Sequence, residues 1–289
     1  MPAEVDKNSE FKVRVMQRVD LQNAYRWSIE EGWNVGKHDH DVFFATDPNG
    51  FFVGELNGEP IGSVSGVAYD DKFGFVGIYI LRPEFRGQGY GIQIFQAAME
   101  YLGNRCVGLD GVIAQQDNYR RSGFKFEYRN IRFRKEGVGS TVQGTSPSIV
   151  SATGVPFNLL ADYDARHFPA RRESFLTGWI REPEATAITK YEDGVIKGFG
   201  MVRAFAQGWC VGPLFADTPE IADELYRTLS AEHPGEDLYL DVPEVNEDAI
   251  ALANGHQMAQ VFETARMYTG DAPKLPLKAI YGVTSFELG

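Results

Sequence analysis

The 289-residue sequence predicts an α/β (α+β) protein of two tandem domains, each a mixed, mostly antiparallel sheet flanked by helices. Three observations carry this. Hairpin-linked strand-like runs lie early in the chain. A glycine-rich loop sits between an apolar strand and an amphipathic helix. The second half repeats the element order of the first without its wording.

In the first half, FKVRVMQR (11–18) alternates as a strand does. After Asp20, an N-cap residue type, LQNAYRWSIEEGW carries a helical apolar period. FFVGEL (51–56), IGSVSGVAY (61–69) and FGFVGIYIL (73–81) read as three strands, joined by the tight-hairpin dipeptide Asn57-Gly58 and by Asp70-Asp71-Lys72. IQIFQAAMEYLG then reads as a helix ended by Gly103. VGLDGVIA (107–114) reads as a short buried strand, DNYRRSG as a helical turn and FKFEYRNIRFRK (124–135) as a long alternating strand.

Residues 136–156 are rich in Gly, Ser, Thr and Pro and mark the junction, dividing the chain into 1–145 and 146–289. The second half gives helices in NLLADYDARHF and ARRESFLTGWI, then strands in AITKYED, IKGFGMVRAFA and GWCVGPLFA. A helix (PEIADELYRTLSAE), a strand (DLYLDV), a short helix (NEDAIALAN), a long strand (QVFETARMYTG) and a last strand (AIYGVTSFELG) follow. A diverged internal duplication is the economical account.

The net charge of −12 is uneven: residues 1–146 hold 17 Lys and Arg against 19 Asp and Glu, and the rest hold 11 against 21. Such a balance argues against nucleic acid as a partner. The acidic half is either a solubilising surface or a field that draws a cationic substrate. Cys106 and Cys210 each lie in an apolar run and read as buried thiols, not a disulfide framework. The opening residues MPAEVDKNSEF lack a signal-peptide pattern and no run reaches 18 apolar residues, so a soluble, cytoplasmic protein without membrane partners is expected.

The stretch RPEFRGQGYG (82–91) has the build of an anion cradle, with glycines that allow close backbone approach before a helix N-terminus. It is not a P-loop, because Ile92 and Gln93 follow Gly91 where Lys and Ser/Thr are needed. Its G-x-G-x-G spacing, and the five residues Arg82 to Arg86 between strand and glycines, also depart from the dinucleotide fingerprint.

Arg86-Gly87-Gln88-Gly89-Tyr90-Gly91 resembles the [Arg/Gln]-x-x-Gly-x-[Gly/Ala] signature of the GNAT N-acetyltransferases. Tyr79-Ile80-Leu81-Arg82-Pro83 is similar to that family's strand end, and Tyr119-Arg120-Arg121-Ser122-Gly123-Phe124 to its "Y-x-x-x-G-F". The resemblance spans about residues 11–135, and the second half is similar to the divergent partner domain of tandem GNAT proteins.

The resemblance implies acetyl-CoA as cosubstrate, with no metal. Its pyrophosphate would lie on the backbone of Arg86, Gly87, Gln88, Gly89, Tyr90 and Gly91. The fourth-strand backbone that pairs with pantetheine and the acetyl oxygen falls on Ile80 and Leu81, and Tyr119 is the candidate general acid toward the leaving thiolate.

The general base is open, because FGFVGIYIL has no acid. Asp110 is one candidate, with a paired structural aspartate as its other reading. Glu30 and Glu31 read as a solvated helix end near the acceptor cleft, and KHDHD (37–41) as an exposed loop, not a metal site. The position matching the glycine loop in the second half reads Gly212-Pro213-Leu214-Phe215-Ala216-Asp217, which predicts one coenzyme site. The second half is then expected to complete the acceptor cleft and to pack sheet against sheet. The reading is transfer of acetyl to a primary amine of a small, possibly cationic molecule, by a monomer (an internal pseudo-dimer) or a homodimer. The rival is a non-catalytic acetyl-CoA-binding or regulatory protein.

Overall fold

The computed structural model describes residues 10–139 and 146–289. The opening nine residues and positions 140–145, up to the expected domain boundary, lie outside the described residues. Phe11–Val15 (β1) leads into helices Leu21–Glu30 (α1) and Asp39–Thr46 (α2). Phe51–Leu56 (β2), Glu59–Ala68 (β3) and Phe73–Leu81 (β4) then form an antiparallel meander with β1. The β2–β3 turn has Asn57 at φ 53° and Gly58 at φ 80°, the two left-handed residues of a type I′ hairpin. Tyr90–Leu102 (α3) carries the chain back to Cys106–Val112 (β5), parallel to β4, followed by Gln116–Arg121 (α4) and Lys125–Lys135 (β6).

The second half repeats this order. It runs Ile149–Ser151 (β7), Phe157–Asp164 (α5), Glu173–Trp179 (α6), Ala185–Glu192 (β8), Val195–Ala204 (β9) and Trp209–Ala216 (β10). Pro219–Ser230 (α7), Leu238–Pro243 (β11), Glu247–Gly255 (α8), Ala259–Tyr268 (β12) and Ile280–Gly282 (β13) complete it. Only 280–282 of the expected last strand is strand. Residues 283–289 leave the sheet and fold back over it.

All the strands form one sheet, ordered β1-β2-β3-β4-β5-β12-β6-β11-β10-β9-β8-β7, with β13 beside β10. The expected sheet-against-sheet packing is therefore corrected: the halves join edge to edge. The cause is an exchange of the two long strands. β12 lies between β5 and β6, and β6 lies between β12 and β11, so each half fills the other's edge. Asn130 faces Thr264 at the centre of this exchange. On either side the register sets Asp110 opposite Arg266 and Asp241 opposite Arg132. These are matching ion pairs of a duplicated fold.

Strand alternation sends the two sheet faces to different helices. One face carries α1, α2, α5 and α6 over a shared core that includes Met16, Phe43, Phe175, Trp179 and Phe286. Phe43 stacks on Trp179 at 5.9 Å, which locks α2 of one half onto α6 of the other. The opposite face holds α3 through Ile94, Phe95 and Ala98, and α7 with α8 through Leu225, Leu229 and Ala253. No helix among the described residues is long and apolar enough to cross a membrane.

Candidate active site

Strands β4 and β5 pair only from Phe73–Cys106 to Val76–Leu109, and beyond that point they separate into a V-shaped slot. The separation coincides with a register shift between β3 and β4, where Ile78 takes φ 46° and its carbonyl accepts from Ser63 Oγ at 3.0 Å. A β-branched residue in that region is strained, and the surrounding sheet holds it there. The Arg82 amide donates to Ile61 O at 3.0 Å. Strand alternation then turns the Ile80 amide toward β3 and those of Tyr79 and Leu81 toward the open slot. Of the two positions expected to line the slot by backbone, the Leu81 amide faces the slot and the Ile80 amide faces β3, and the Tyr79 amide faces the slot as well.

At the slot's far end a 3₁₀ turn, Pro83–Phe85, leads to the glycine loop and the start of α3. Gly87 and Gly89 have φ 75° and 85°, and a Cβ at either would meet nothing within 4 Å, so the loop backbone is bare on its concave side. The amides of Gly87, Gln88 and Gly89 find no backbone acceptor among the described residues. Bare amides at a helix N-terminus suit an anion. Gln88 braces the loop by donating to Glu84 O at 3.0 Å, and Tyr90 packs on Phe11 at 4.7 Å. Arg86 donates to Leu81 O at 2.8 Å and pairs with Glu31 at the end of α1. It therefore ties the loop to the slot and to the helix above it. Gly91 is buried, with the Tyr79 hydroxyl against it.

Tyr119, on α4, stands with its ring between Phe95 and Phe124, at 6.1 and 6.2 Å, over Gly111. Burial, helped by the neighbouring Tyr79, pushes its phenol well above the ordinary tyrosine value, so it carries its proton at neutral pH. Asp110 is engaged differently. Both oxygens accept from Arg266, at 2.9 and 2.6 Å, and Oδ1 also accepts from Asn130 at 2.8 Å. The carboxylate is sealed, which matches its reading as a paired structural aspartate.

Above the sheet, the loop after α1 is tied to the second half. Lys37 N donates to Ala204 O (3.0 Å), Ala206 N to Val35 O (2.9 Å) and Arg132 Nη1 to Asn34 O (2.7 Å). The expected exposed KHDHD loop is corrected here. Asp39 begins α2, is buried, and accepts from Arg203 at 2.9 and 3.2 Å, while His38 bonds Glu184 at 2.9 Å. An unpaired arginine in the core would be costly, and this pairing pulls Asp39 inside. Beside Asp39, burial and its charge push the Glu182 carboxyl up to about 9. Past the end of β5, beside the start of β12, an open groove of about 730 Å³ is lined by Val112, Ile113, Ala114 and Gln260–Glu263. Ile113, Val261 and Phe262 are exposed there. No group of three or more His, Cys, Asp or Glu that could hold a metal occurs among the described residues.

The second half has the same slot and fills it. Pairing of β10 with β11 ends at Val211–Leu240, and beyond it β13 pairs with β10 at Leu214 and Phe215. The N-terminus of α7 is capped by its own Thr218, and Asp217 accepts from Tyr163 Oη at 3.0 Å.

Two family models match the chain: the acetyltransferase (GNAT) family over residues 18–124 and an acetyltransferase (GNAT) domain over residues 160–282. Holothin acyltransferase from Pseudoalteromonas sp. (strain SANK 73390) is 30% identical over 272 residues, covering 93% of this chain and 92% of that one. The chain belongs to the GNAT acetyltransferases. It is a tandem GNAT protein, an acyl-CoA-dependent transferase. A putative acetyltransferase from Pyrococcus horikoshii superposes with a TM-score of 0.82 at 22% identity over 96% of both chains. A tandem GNAT protein from the clavulanic acid biosynthesis pathway, solved without acetyl-CoA, does so at 0.62 and 11% identity, over 91% of this chain and 99% of its own. Both agree on the fold.

In this tandem GNAT protein the loop 86–91, the slot and Tyr119 are neighbours, as the motif order implies. What the motifs did not reveal is that residues 283–289 fold back onto the first half, where the main chain of Glu287 lies against Gly77 of β4. Glu287 stood in the sequence as a single acid in an apolar ending, TSFELG, and that oddity was the available signal.

Proposed function

We propose that the chain transfers acetyl from acetyl-CoA to a primary amine of a small molecule by direct attack, at one site in residues 1–145. The division at 145/146 assigns residues 146–289 to closing the acceptor side. The observation that carries this is the continuity of bare loop amides, opened slot and protonated Tyr119 along one edge of β4. The pyrophosphate would lie on residues 86–91 and the thioester in the slot, where the Leu81 and Tyr79 amides face the forming oxyanion. Attack forms the N–C bond, and the C–S bond breaks with its electron pair going to sulfur. Tyr119 donates the proton that the thiolate takes up.

Taken as the acceptor's seat, the groove at the end of β5 favours an apolar body carrying the amine, since Val261, Phe262 and Ile113 face it and Glu263 is its one acid. The 30%-identical relative, named for holothin, is in keeping with a small-molecule acceptor. The second slot takes no coenzyme in this reading, because β13 supplies the strand partner that pantetheine would need. Thiol release from acetyl-CoA, measured across apolar arylalkylamines, polyamines and amino acids, tests the proposal. Turnover concentrated in the apolar amines is expected. Preference for polyamines would refute the acceptor class, and coenzyme binding without turnover of any amine would refute the activity.

A further inference from the structure

The base of the reaction has no owner among the residues so far described. Asp110 is sealed by Arg266, and β4 carries no acid. One acidic residue nevertheless reaches, by its main chain, the point where β4 leaves β5, and it comes from the other end of the chain. After β13 fills the second slot, the chain emerges on the face that carries α1 and α2. Val283 N donates to Asp241 O at 2.9 Å, Tyr69 Oη to Leu288 O at 2.9 Å and Arg172 Nη1 to Gly289 O at 3.2 Å. Held at both ends, this segment lays Glu287 on Gly77, the first residue beyond the β4–β5 pairing. The contact is so close that a Cβ on Gly77 would lie 1.9 Å from Glu287 O. Only glycine admits that approach.

The surroundings of the side chain are as telling. Glu287 makes no hydrogen bond or ion pair to a side chain among the described residues, and it keeps partial access to solvent. The charged groups facing it are Asp39 from α2, Arg132 from β6, Arg203 from β9 and Asp241 from β11. The two arginines are already committed, Arg132 to Asp241 at 2.7 Å and Arg203 to Asp39 at 2.9 Å. Glu287 is thus a free carboxylate among neutralised pairs. Burial and Asp39 push its carboxyl up to about 7, and the arginines pull against that rise. Its neighbour Phe286 lies 6.3 Å from Phe262, which lines the groove at the end of β5.

We infer that Glu287 is the general base of this tandem GNAT protein, carried into the first half's site by the segment that fills the second half's slot. This rests on the acetyl-transfer reading above. Glu287 takes one proton from the acceptor ammonium and passes it to solvent. The freed amine forms the N–C bond as the C–S bond breaks, Tyr119 protonates the sulfur, and the second N–H proton, lost from the new amide nitrogen, restores the Tyr119 hydroxyl.

The test compares Glu287→Gln and Glu287→Asp with wild type, with benzylamine (an ammonium ion at neutral pH) and aniline (already a free amine) as acceptors. With benzylamine, Glu287→Gln is expected to lose about 10²-fold or more in kcat and to lose the acidic limb of its pH profile, with the acetyl-CoA KM unchanged. With aniline the loss should be much smaller, which a merely structural role would not produce. Glu287→Asp should recover part of the rate. Equal losses with both amines, or a wild-type profile in Glu287→Gln, would overturn the assignment. Should wild type turn over neither amine, the titration of the Glu287 side chain, followed by carbon NMR against Glu287→Gln, decides instead. A midpoint near 7 supports the base and one in the ordinary carboxylate range overturns it. Failure of the acetyl-transfer reading shows separately, as wild type inert toward the whole amine panel.

Discussion

Replacing Asp110 by Asn separates its two readings. The substitution keeps the shape and a partner for Asn130 but removes the charge that answers Arg266, whose guanidinium is buried between Asp110 and the Phe75 ring, 5.1 Å away. Breaking a buried pair by removing one partner costs about 3–5 kcal/mol, because the remaining charge is stranded. At about 2–4 °C of melting temperature per kcal/mol for a sizeable chain, the expected fall is roughly 6–20 °C by differential scanning calorimetry. Below the transition, the kcat pH profile should overlay that of wild type. The double variant Asp110→Leu/Arg266→Met should recover most of the stability, since an apolar pair of similar volume replaces a buried ion pair at little cost. An Asp110→Asn protein with unchanged melting temperature and a kcat about 10²-fold lower would refute this reasoning and return Asp110 to catalysis.

Three further outcomes are expected. Calorimetric titration should find one coenzyme site per chain, and Gly89→Glu should abolish it, because the substitution strains a residue at φ 85° and sets a carboxylate against the pyrophosphate. Tyr119→Phe should lower kcat about 10²-fold with the acetyl-CoA KM little changed, and full rate near neutral pH would exclude the acid role. Glu182 should make the fold less stable as pH rises. Its folded-state carboxyl is raised to about 9, so between the ordinary glutamate value and that point the native state holds a proton the unfolded chain has lost. This contribution is complete below the unfolded value and declines by up to about 1.4 kcal/mol per pH unit above it. Chemical denaturation at pH 4 and pH 8 should therefore show Glu182→Gln close to wild type at the lower pH and more stable at the higher.

What the sequence disclosed and what it hid divide along sequence distance. The meander, the glycine loop and the α3 helix are set by local signals, such as Asn57-Gly58 and the alternating apolar residues of β4, and these could be read directly. The duplication was also legible as repeated element order. The exchange of β6 and β12 was not, because both strands alternate in the same way wherever they pair, and nothing local says which partner they choose. For the same reason Asp110 looked like an isolated acid, since Arg266 is 156 residues away, and Asp39 looked solvent-exposed, since Arg203 is 164 away. Glu287 was hidden by a different cause. Its segment was read as a strand end, whereas β13 stops at Gly282 and the following residues fold back onto Gly77 of β4.

Two copies of one slot with different contents explain why the second half can lose its glycine ladder without losing its fold. A V opened between parallel strands leaves backbone groups of β10 and β11 without partners, and such groups must be paired or hydrated. In the proposed reading a coenzyme meets that need in the first half, with its phosphates on loop 86–91. In the second half β13 meets it permanently, through Leu214 and Phe215, and Asn246 secures the inserted strand by donating to Ile280 O at 2.9 Å. Once the slot is closed, a pyrophosphate loop there has nothing to hold, and Thr218 and Asp217 are free to cap and brace α7 instead. The same insertion fixes where the chain emerges, beside Asp241 and above Gly77. Filling one site therefore places residues 283–289 over the other, and weakening the β13–β10 pairing should disturb the first site before it unfolds the second half.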